Sequence, residues 1–490
     1  MLLFSIPGVM IFFIWVLCGV IAPSFLSLKD WGVPAVFRTP LVLLSVILGP
    51  VVPLTVGAGR GISHLVNYKR EAEKRREIER LNQIMLENSR GMFTTDGQDE
   101  DSDGAIITVK RLILQAVERG ASDIFIDPLQ SGASTVRMRV DGTLRPVCEL
   151  EPSLAKSAVS AVKVIASMDI SEHRRPQDGA FSARIEGELI SFRVASVGAY
   201  AGEKITVRVL GSSAGPRSLA DLGLSRDDFD VLEKSIKLPS GMILMCGPTG
   251  SGKTSTLYAM LKSIDFTLKN VISIEDPIEN IMPSISQMEV NTRAGITFGS
   301  LLRNALRQNP DIICLGEIRD EETAGIAVQA AQTGHLIIGT VHSNDNLGTV
   351  DRLQNLGIPL RTIAATLHVI VSQRLVRTLC PHCKRRIELD GELADYFRQA
   401  GLPTDNVCAP VGCPRCDNTG YSGRRAVFDI MVVNSQLREL LEAENATLSS
   451  IQAFIEREHG SSVIAYKGYK IVSDGLTSLE EVNRISMNLE

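Results

Sequence analysis

Residues 242–254 read MILMCGPTGSGKT, an apolar run that breaks into a glycine-rich loop closed by Gly252-Lys253-Thr254. The pattern GxxxxGK[ST] after a strand is a phosphate cradle. Gly247, Gly250 and Gly252 permit a curl tight enough for backbone N–H groups to converge on phosphate oxygens. In such a loop Lys253 reaches the β- and γ-phosphates and Thr254 offers its hydroxyl to Mg²⁺. The helix expected over 255–264 aims its positive end at the anion. Pro248, Thr249, Ser251 and Ser255 complete the expected ATP- and Mg²⁺-binding set.

Three more apolar runs end on chemistry. The run 271–274 stops at Glu275-Asp276-Pro277, the run 311–315 at Gly316-Glu317, and the run 336–341 at His342-Ser343-Asn344. Continuous β-rich apolar runs alternating with helical segments predict buried strands of a parallel sheet. The carboxyl ends of such strands share one edge, where ligands bind. Lys253, Glu275, Glu317 and His342 are therefore expected to line one crevice. Phosphoryl transfer needs charge neutralisation, a positioned water and a base. Glu317 is expected to hold Mg²⁺ through water, and His342 to sense the γ-phosphate. Glu275, the first acid past its strand, is the candidate for polarising the attacking water. Asp276 and Glu279 stand as alternatives, because spacing does not set distances.

Longer stretches carry a family resemblance. GPTGSGKTST, IEDPIE (274–279), LRQNPDIICLGEIRDEET (306–323) and QTGHLIIGTVHSND (332–345) look like motifs of the secretion ATPase superfamily. GASDIFIDP (120–128), RPQDGAF (175–181), GEKITVRVL (202–210), QRLVRTLCPHCK (373–384) and GLTSLEEV (475–482) extend the likeness over roughly 105–490. The chain resembles most the branch that drives type II secretion and type IV pilus assembly, the GspE/PilB-like ATPases. The resemblance implies an α/β architecture: a RecA-like P-loop motor domain (223–490) preceded by a small α/β domain (106–212) and a hinge (213–222). It also implies a homohexamer working with inner-membrane secretion or pilus platform proteins. Phe125, Asp127 and Asn309 depart from the family pattern, and none belongs to the phosphate loop or the acids.

The same resemblance supplies arginines that reach nucleotide across domain or subunit boundaries: Arg193, Arg208, Arg303, Arg307 and Arg319. Their physics is that of an arginine finger, a planar, permanently charged fork placed on the transferring phosphoryl group. Arg303 and Arg307 are four apart and are expected to share a helix face.

The chain has 9 cysteines, and four fall in Cys380-Pro-His-Cys383 and Cys413-Pro-Arg-Cys416. Two CxxC knuckles read as a tetrahedral Cys₄ Zn²⁺ site, within a zinc element over 376–428. An enzyme using cytosolic ATP keeps its thiols reduced, which favours metal over disulfide. Four thiolates leave no position for water, so the zinc is expected to be structural. By resemblance such an element belongs to assembly ATPases rather than to retraction motors.

The amino terminus leaves the family pattern. Residues 1–22 contain no charge and suffice for a membrane span, while 40–57 form a shorter apolar stretch interrupted by Pro50 and Pro53. A signal peptide is the rival reading of 1–22, but the segment lacks a positive start and export would strand the ATP site. The second stretch reads as a full span or as a re-entrant hairpin. Basic residues from Arg60 to Arg80 place the following chain in the cytoplasm, giving a multi-pass anchor (1–59) in a bacterial inner membrane.

A charged helical stalk with a thin apolar stripe at Ile78, Leu81 and Met85, then a mobile acidic linker (91–105), are expected within 60–105. A helical tail is expected over 431–490, with Thr477 and Glu480 as a capping box. Among 490 residues the net charge is −5 and 5% are aromatic, so no nucleic-acid surface is expected. A DNA-uptake or conjugation motor, a retraction motor and a non-hydrolysing P-loop scaffold remain as rival functions.

Overall fold

A computed structural model describes residues 76–88, 91–93, 100–210, 218–459 and 463–486. Both expected membrane stretches, 1–22 and 40–57, lie outside the described residues. Among the described residues, no helix is long and apolar enough to cross a membrane.

The chain divides into two units at Met85/Leu86. In the first, 76–82 are helical, Leu81 is buried, and Ile78 and Met85 are exposed. The expected stripe does not form, because the helix stops before Met85 and the backbone turns extended.

The second unit carries two large sheets. The first contains β1 (Met85–Asn88), β2 (Gly91–Phe93), β3 (Ala121–Pro128), β4 (Ser134–Val140), β5 (Thr143–Leu150), β6 (Gln177–Ile185), β7 (Glu188–Ala199) and β8 (Gly202–Leu210). Their order is β2-β1-β6-β7-β8-β3-β4-β5. Alternating burial along β4 (Val136, Met138 and Val140 inward) gives one core face. Helices α1 (Glu100–Glu118) and α2 (Pro152–Ile165) pack on each other, and α1 packs on β3. The segment expected to be an acidic linker instead contributes β2 and the start of α1.

The second sheet is built from β9 (Gly241–Cys246), β10 (Val271–Glu275), β11 (Ser286–Glu289), β12 (Ile312–Leu315), β13 (Leu336–Val341), β14 (Leu367–Leu379) and β17 (Tyr421–Val432). Between the last two lie the short pair β15 (Arg385–Arg386) and β16 (Cys408–Ala409). The order is β11-β10-β12-β13-β9-β14-β17; all neighbours are parallel except β17, which runs against β14. Helices α3 (Arg226–Ser235), α4 (Lys253–Leu261), α5 (Phe298–Ala305), α6 (Glu321–Gln332), α7 (Asn346–Asn355) and α8 (Leu360–Thr366) surround it, and α9 (Gly391–Gln399) belongs to the cysteine segment. Strands β9, β10, β12 and β13 are buried at every residue, as their uninterrupted apolar runs require. Leu244, Ile274 and Ile313 enter one core layer, while Ile243, Cys314 and Ile338 enter the other.

The tail begins later than expected, because β17 extends to Val432. It comprises α10 (Ser435–Glu442), α11 (Leu448–His459), α12 (Val463–Ser473) and α13 (Leu479–Ser486). Part of the expected hinge is a 3₁₀ turn, Leu219–Leu222, capped by Ser218. The Thr477–Glu480 capping box is replaced by another arrangement. Thr477 Oγ1 donates to the Arg377 carbonyl at 2.7 Å, and Ser478 Oγ accepts from Glu481 N at 3.4 Å.

Glu481 is 1% exposed and anchors α13 to β14. It accepts from Arg377 N (2.8 Å), Arg377 Nη2 (2.8 Å) and Arg484 Nη2 (2.9 Å). Burial alone raises this carboxyl, but the two guanidinium groups and the amide hold it below the usual carboxylate range. Glu481→Ala, which removes the buried acceptor of Arg377 and of the more exposed Arg484, is expected to cost about 2 kcal/mol in urea unfolding. A loss below about 1 kcal/mol would show that the tail is held by its apolar contacts alone.

Candidate active site

The loop between β9 and α4 is shaped by its glycines: Gly247, Gly250 and Gly252 have φ of 141°, 78° and 92°. Gly252 caps α4, which starts at Lys253, earlier than the sequence suggested. The N–H groups of that first turn have no carbonyl partners within the helix. Lys253 is 9% exposed, and its Nζ donates to the carbonyls of Gly247 (2.7 Å) and Pro248 (3.1 Å). Burial pushes its pKa below the ordinary lysine value. Ser251 Oγ is buried without a partner. A desolvated cation, an orphan hydroxyl and a helix N-terminus together fit a phosphate chain.

Strands β10 and β12 pair Ile274 with Leu315, so the residues after them emerge side by side. Glu317 follows β12 and meets His342 Nε2 at 3.3 Å, and its charge also bears on Lys253. The expected convergence of Lys253, Glu317 and His342 is therefore present. His335, at the opposite edge, meets the Ala330 carbonyl (3.0 Å) and Thr333 Oγ1 (3.4 Å).

The three acids proposed for water activation separate clearly. Glu275 is 4% exposed and already engaged: Tyr258 Oη donates to Oε2, while Ser273 Oγ (2.7 Å) and Gln287 Nε2 (3.1 Å) donate to Oε1. As the last residue of β10 it belongs to the core wall and not to the open crevice, which corrects the expectation from spacing. Asp276 pairs with Arg319 Nη2 at 3.2 Å. Glu279 lies on the loop after β10, where the Thr254 hydroxyl favours its ionised form. Its side chain is open to solvent in the crevice, yet protein surrounds it. That desolvation and the Glu275 charge raise its carboxyl pKa, against Arg208, Thr254 and Arg193.

The arginines fall into three places. Arg193 on β7 lies 3.5 Å from Glu289, and Arg208 on β8 lies 3.2 Å from Asp123; the charges of both act on Glu279. Arg319 sits over the Phe298 ring at 5.5 Å. Arg303 pairs with Glu322 at 2.5 Å, and Arg307 folds back onto the Arg303 carbonyl at 3.2 Å. The expected shared helix face is shortened, because α5 ends at Ala305 and Arg307 lies in a 3₁₀ turn. That turn ends on Asn309 at φ 49°, a backbone region Asn tolerates as Asp does.

Cys380, Cys383, Cys413 and Cys416 bring their sulfurs within 4.8 Å of one another. The separations are 4.0 Å for Cys380–Cys413, 3.8 Å for Cys383–Cys416 and 3.7 Å for Cys413–Cys416. Sulfurs about 2.3 Å from a central zinc stand about 3.8 Å apart at tetrahedral corners. The donor set therefore fits Zn²⁺ in both chemistry and spacing.

A model of the type II/IV secretion system protein family matches residues 98–484. This chain belongs to that family. It is a P-loop ATPase of the secretion and pilus group. It is 40% identical over 389 residues to the type II secretion system ATPase E of Vibrio cholerae, covering 79% of this chain and 76% of that protein. It is 38% identical over 395 residues to the type IV pilus assembly ATPase PilB of Pseudomonas aeruginosa, covering 80% and 69%. Among solved structures, the pilus retraction motor PilT with bound ADP has a TM-score of 0.53 at 27% identity, covering 76% of this chain and 96% of that one.

In this secretion ATPase, a cavity of about 1110 Å³ opens beside the phosphate loop, lined by Gly252, Ser255, Gly223, Arg145 and Arg425 among others. Sequence reasoning missed Tyr258 and Gln287, which immobilise Glu275, and Arg374, whose Nη2 donates to the Asn344 carbonyl at 2.6 Å beside His342. Tyr258 and Gln287 carry no local motif, and Arg374 lies in the family-like stretch 373–384 without a signal of its own. Tyr258 comes from α4, Gln287 from β11 and Arg374 from β14, so the fold brings them to the site.

Proposed function

We propose that this ATPase powers assembly of a type II secretion pseudopilus or type IV pilus, or protein secretion, as a homohexamer. Residues 1–59 would anchor it to a bacterial inner membrane, with the ATPase sheets in the cytoplasm beside platform proteins. The observation that carries the reading is the meeting of Lys253, Thr254, Glu279, Glu317 and His342 at one sheet edge.

Loop amides and Lys253 hold the triphosphate, and the nucleoside extends into the neighbouring cavity. The Thr254 hydroxyl and the Glu317 carboxylate are hard oxygen donors suited to Mg²⁺, which when bound neutralises developing phosphate charge. Glu279 accepts the proton of the attacking water, a task its raised pKa suits. His342, restrained by Glu317, contacts the γ-phosphate end. Arg193 and Arg208 reach from the eight-stranded sheet toward Glu279, so closure of that sheet adds positive charge at the reacting phosphoryl group. Arg303, Arg307 and Arg319 are proposed as contributors across subunit boundaries.

The four-cysteine cluster and the names of the relatives favour assembly or secretion over retraction. Purified in detergent, the full chain is expected to form six-copy particles with a non-hydrolysable nucleotide, seen by mass photometry. Its ATPase rate is expected to be indifferent to double-stranded DNA. Stimulation by DNA would move the reading to a DNA-uptake or conjugation motor.

A further inference from the structure

Strand β14 runs parallel beside β9 and pairs Ser372 with Cys246. The next residue on each strand is Gln373 and Gly247. A Cβ on Gly247 would lie 2.5 Å from the Gln373 carbonyl oxygen, and a Cβ on Gly252 would lie 2.7 Å from Gln373 Nε2. The remaining polar atom of the amide, Oε1, accepts from Thr256 Oγ1 at 2.8 Å. One side chain thus touches the last glycine of the phosphate loop and the first turn of α4, while its backbone closes against the first glycine. Gln373 is 1% exposed and Thr256 0%.

An apolar residue would fill this position more cheaply if packing were its whole task, because a buried amide is tolerated only when its hydrogen bonds are met. The two glycines also permit the approach: any side chain there would collide with Gln373. We propose that Gln373 is a positioning residue for nucleotide binding. It holds both ends of the phosphate loop and the start of α4, so that the loop amides stay converged before any phosphate arrives. This inference rests on the reading of the Lys253 loop as the nucleotide site.

The test uses the full chain in detergent, titrated with the fluorescent nucleotide methylanthraniloyl-ADP, with melting followed in parallel. Gln373→Leu is expected to bind about ten-fold more weakly, the size of one buried hydrogen bond lost from a preorganised site. Thr256→Val breaks the same bond from its other end and is expected to lose affinity likewise, whereas Thr256→Ser keeps the hydroxyl and binds as wild type. The double variant Gln373→Leu/Thr256→Val is expected to bind no more weakly than the worse single one. Where Gln373→Leu fails to fold, the Thr256 pair carries the test. Affinities within two-fold of wild type in folded variants, or losses that simply add, overturn the proposal. Lys253→Ala separates the layers: if it binds as wild type, the nucleotide site itself is misassigned. If it loses binding while Gln373→Leu and Thr256→Val do not, only the positioning role fails.

Discussion

Glu279→Gln is expected to lower kcat for ATP hydrolysis by about 10²–10³-fold while leaving nucleotide affinity within a few-fold. The amide keeps the size of the side chain, but it cannot take a proton from water. Glu275→Gln offers the contrast. It perturbs a buried network of Tyr258, Ser273 and Gln287, so its main cost is expected in stability, about 1–3 kcal/mol.

A pH profile sharpens the assignment. Desolvation by the surrounding protein and the neighbouring Glu275 charge raise the pKa of the solvent-open Glu279 carboxyl. A base works only when deprotonated. Activity is therefore present above the raised pKa and lost as pH falls through it, placing the acid limb of kcat higher than an ordinary glutamate gives. The residual rate of Glu279→Gln should lack that limb. Wild-type turnover by Glu279→Gln, together with a dead but stable Glu275→Gln, would return the role to Glu275.

The second large effect concerns zinc. Metal analysis of the purified chain is expected to give one zinc per chain, and Cys416→Ser to cost about 4 kcal/mol or more of stability. The local geometry explains the size. Cys380 ends the exit from β14, and Cys413 and Cys416 precede β17, so the four thiolates close a long excursion between two paired strands. Desolvation opposes a thiolate at Cys416, yet amides of Cys413 and Gly420, each 3.2 Å from its sulfur, and the neighbouring thiols bring it down to about 6. An oxidised, metal-free chain with unchanged melting would remove zinc from the account and with it one argument against a retraction motor.

Much was legible from local pattern. The strand ends at Cys246, Leu315 and Val341, the phosphate loop and the two cysteine knuckles each depend on residues close in sequence, whose geometry the backbone sets by itself. Errors arose where an element's state depends on what it packs against. The acidic stretch 91–105 reads as a linker because its charges suit water, yet Gly91–Phe93 forms β2 and α1 begins at Glu100. Met85 matched a helical stripe but stands in β1. Thr477 offered a capping hydroxyl and spent it on the Arg377 carbonyl.

The amino-acid sequence by itself determined that this chain carries a nucleoside-triphosphate loop on a parallel sheet edge and two cysteine pairs, since glycine freedom, strand periodicity and CxxC spacing are local constraints. Only the tertiary structure distinguished Glu279 from Glu275, two acids four residues apart. The reason is physical: a carboxylate's reactivity is set by its desolvation and by the donors around it. For Glu275 those are Tyr258 and Gln287, and for Glu279 they are Thr254 and the arginines of the other sheet, all of them distant in the chain and adjacent only in the fold.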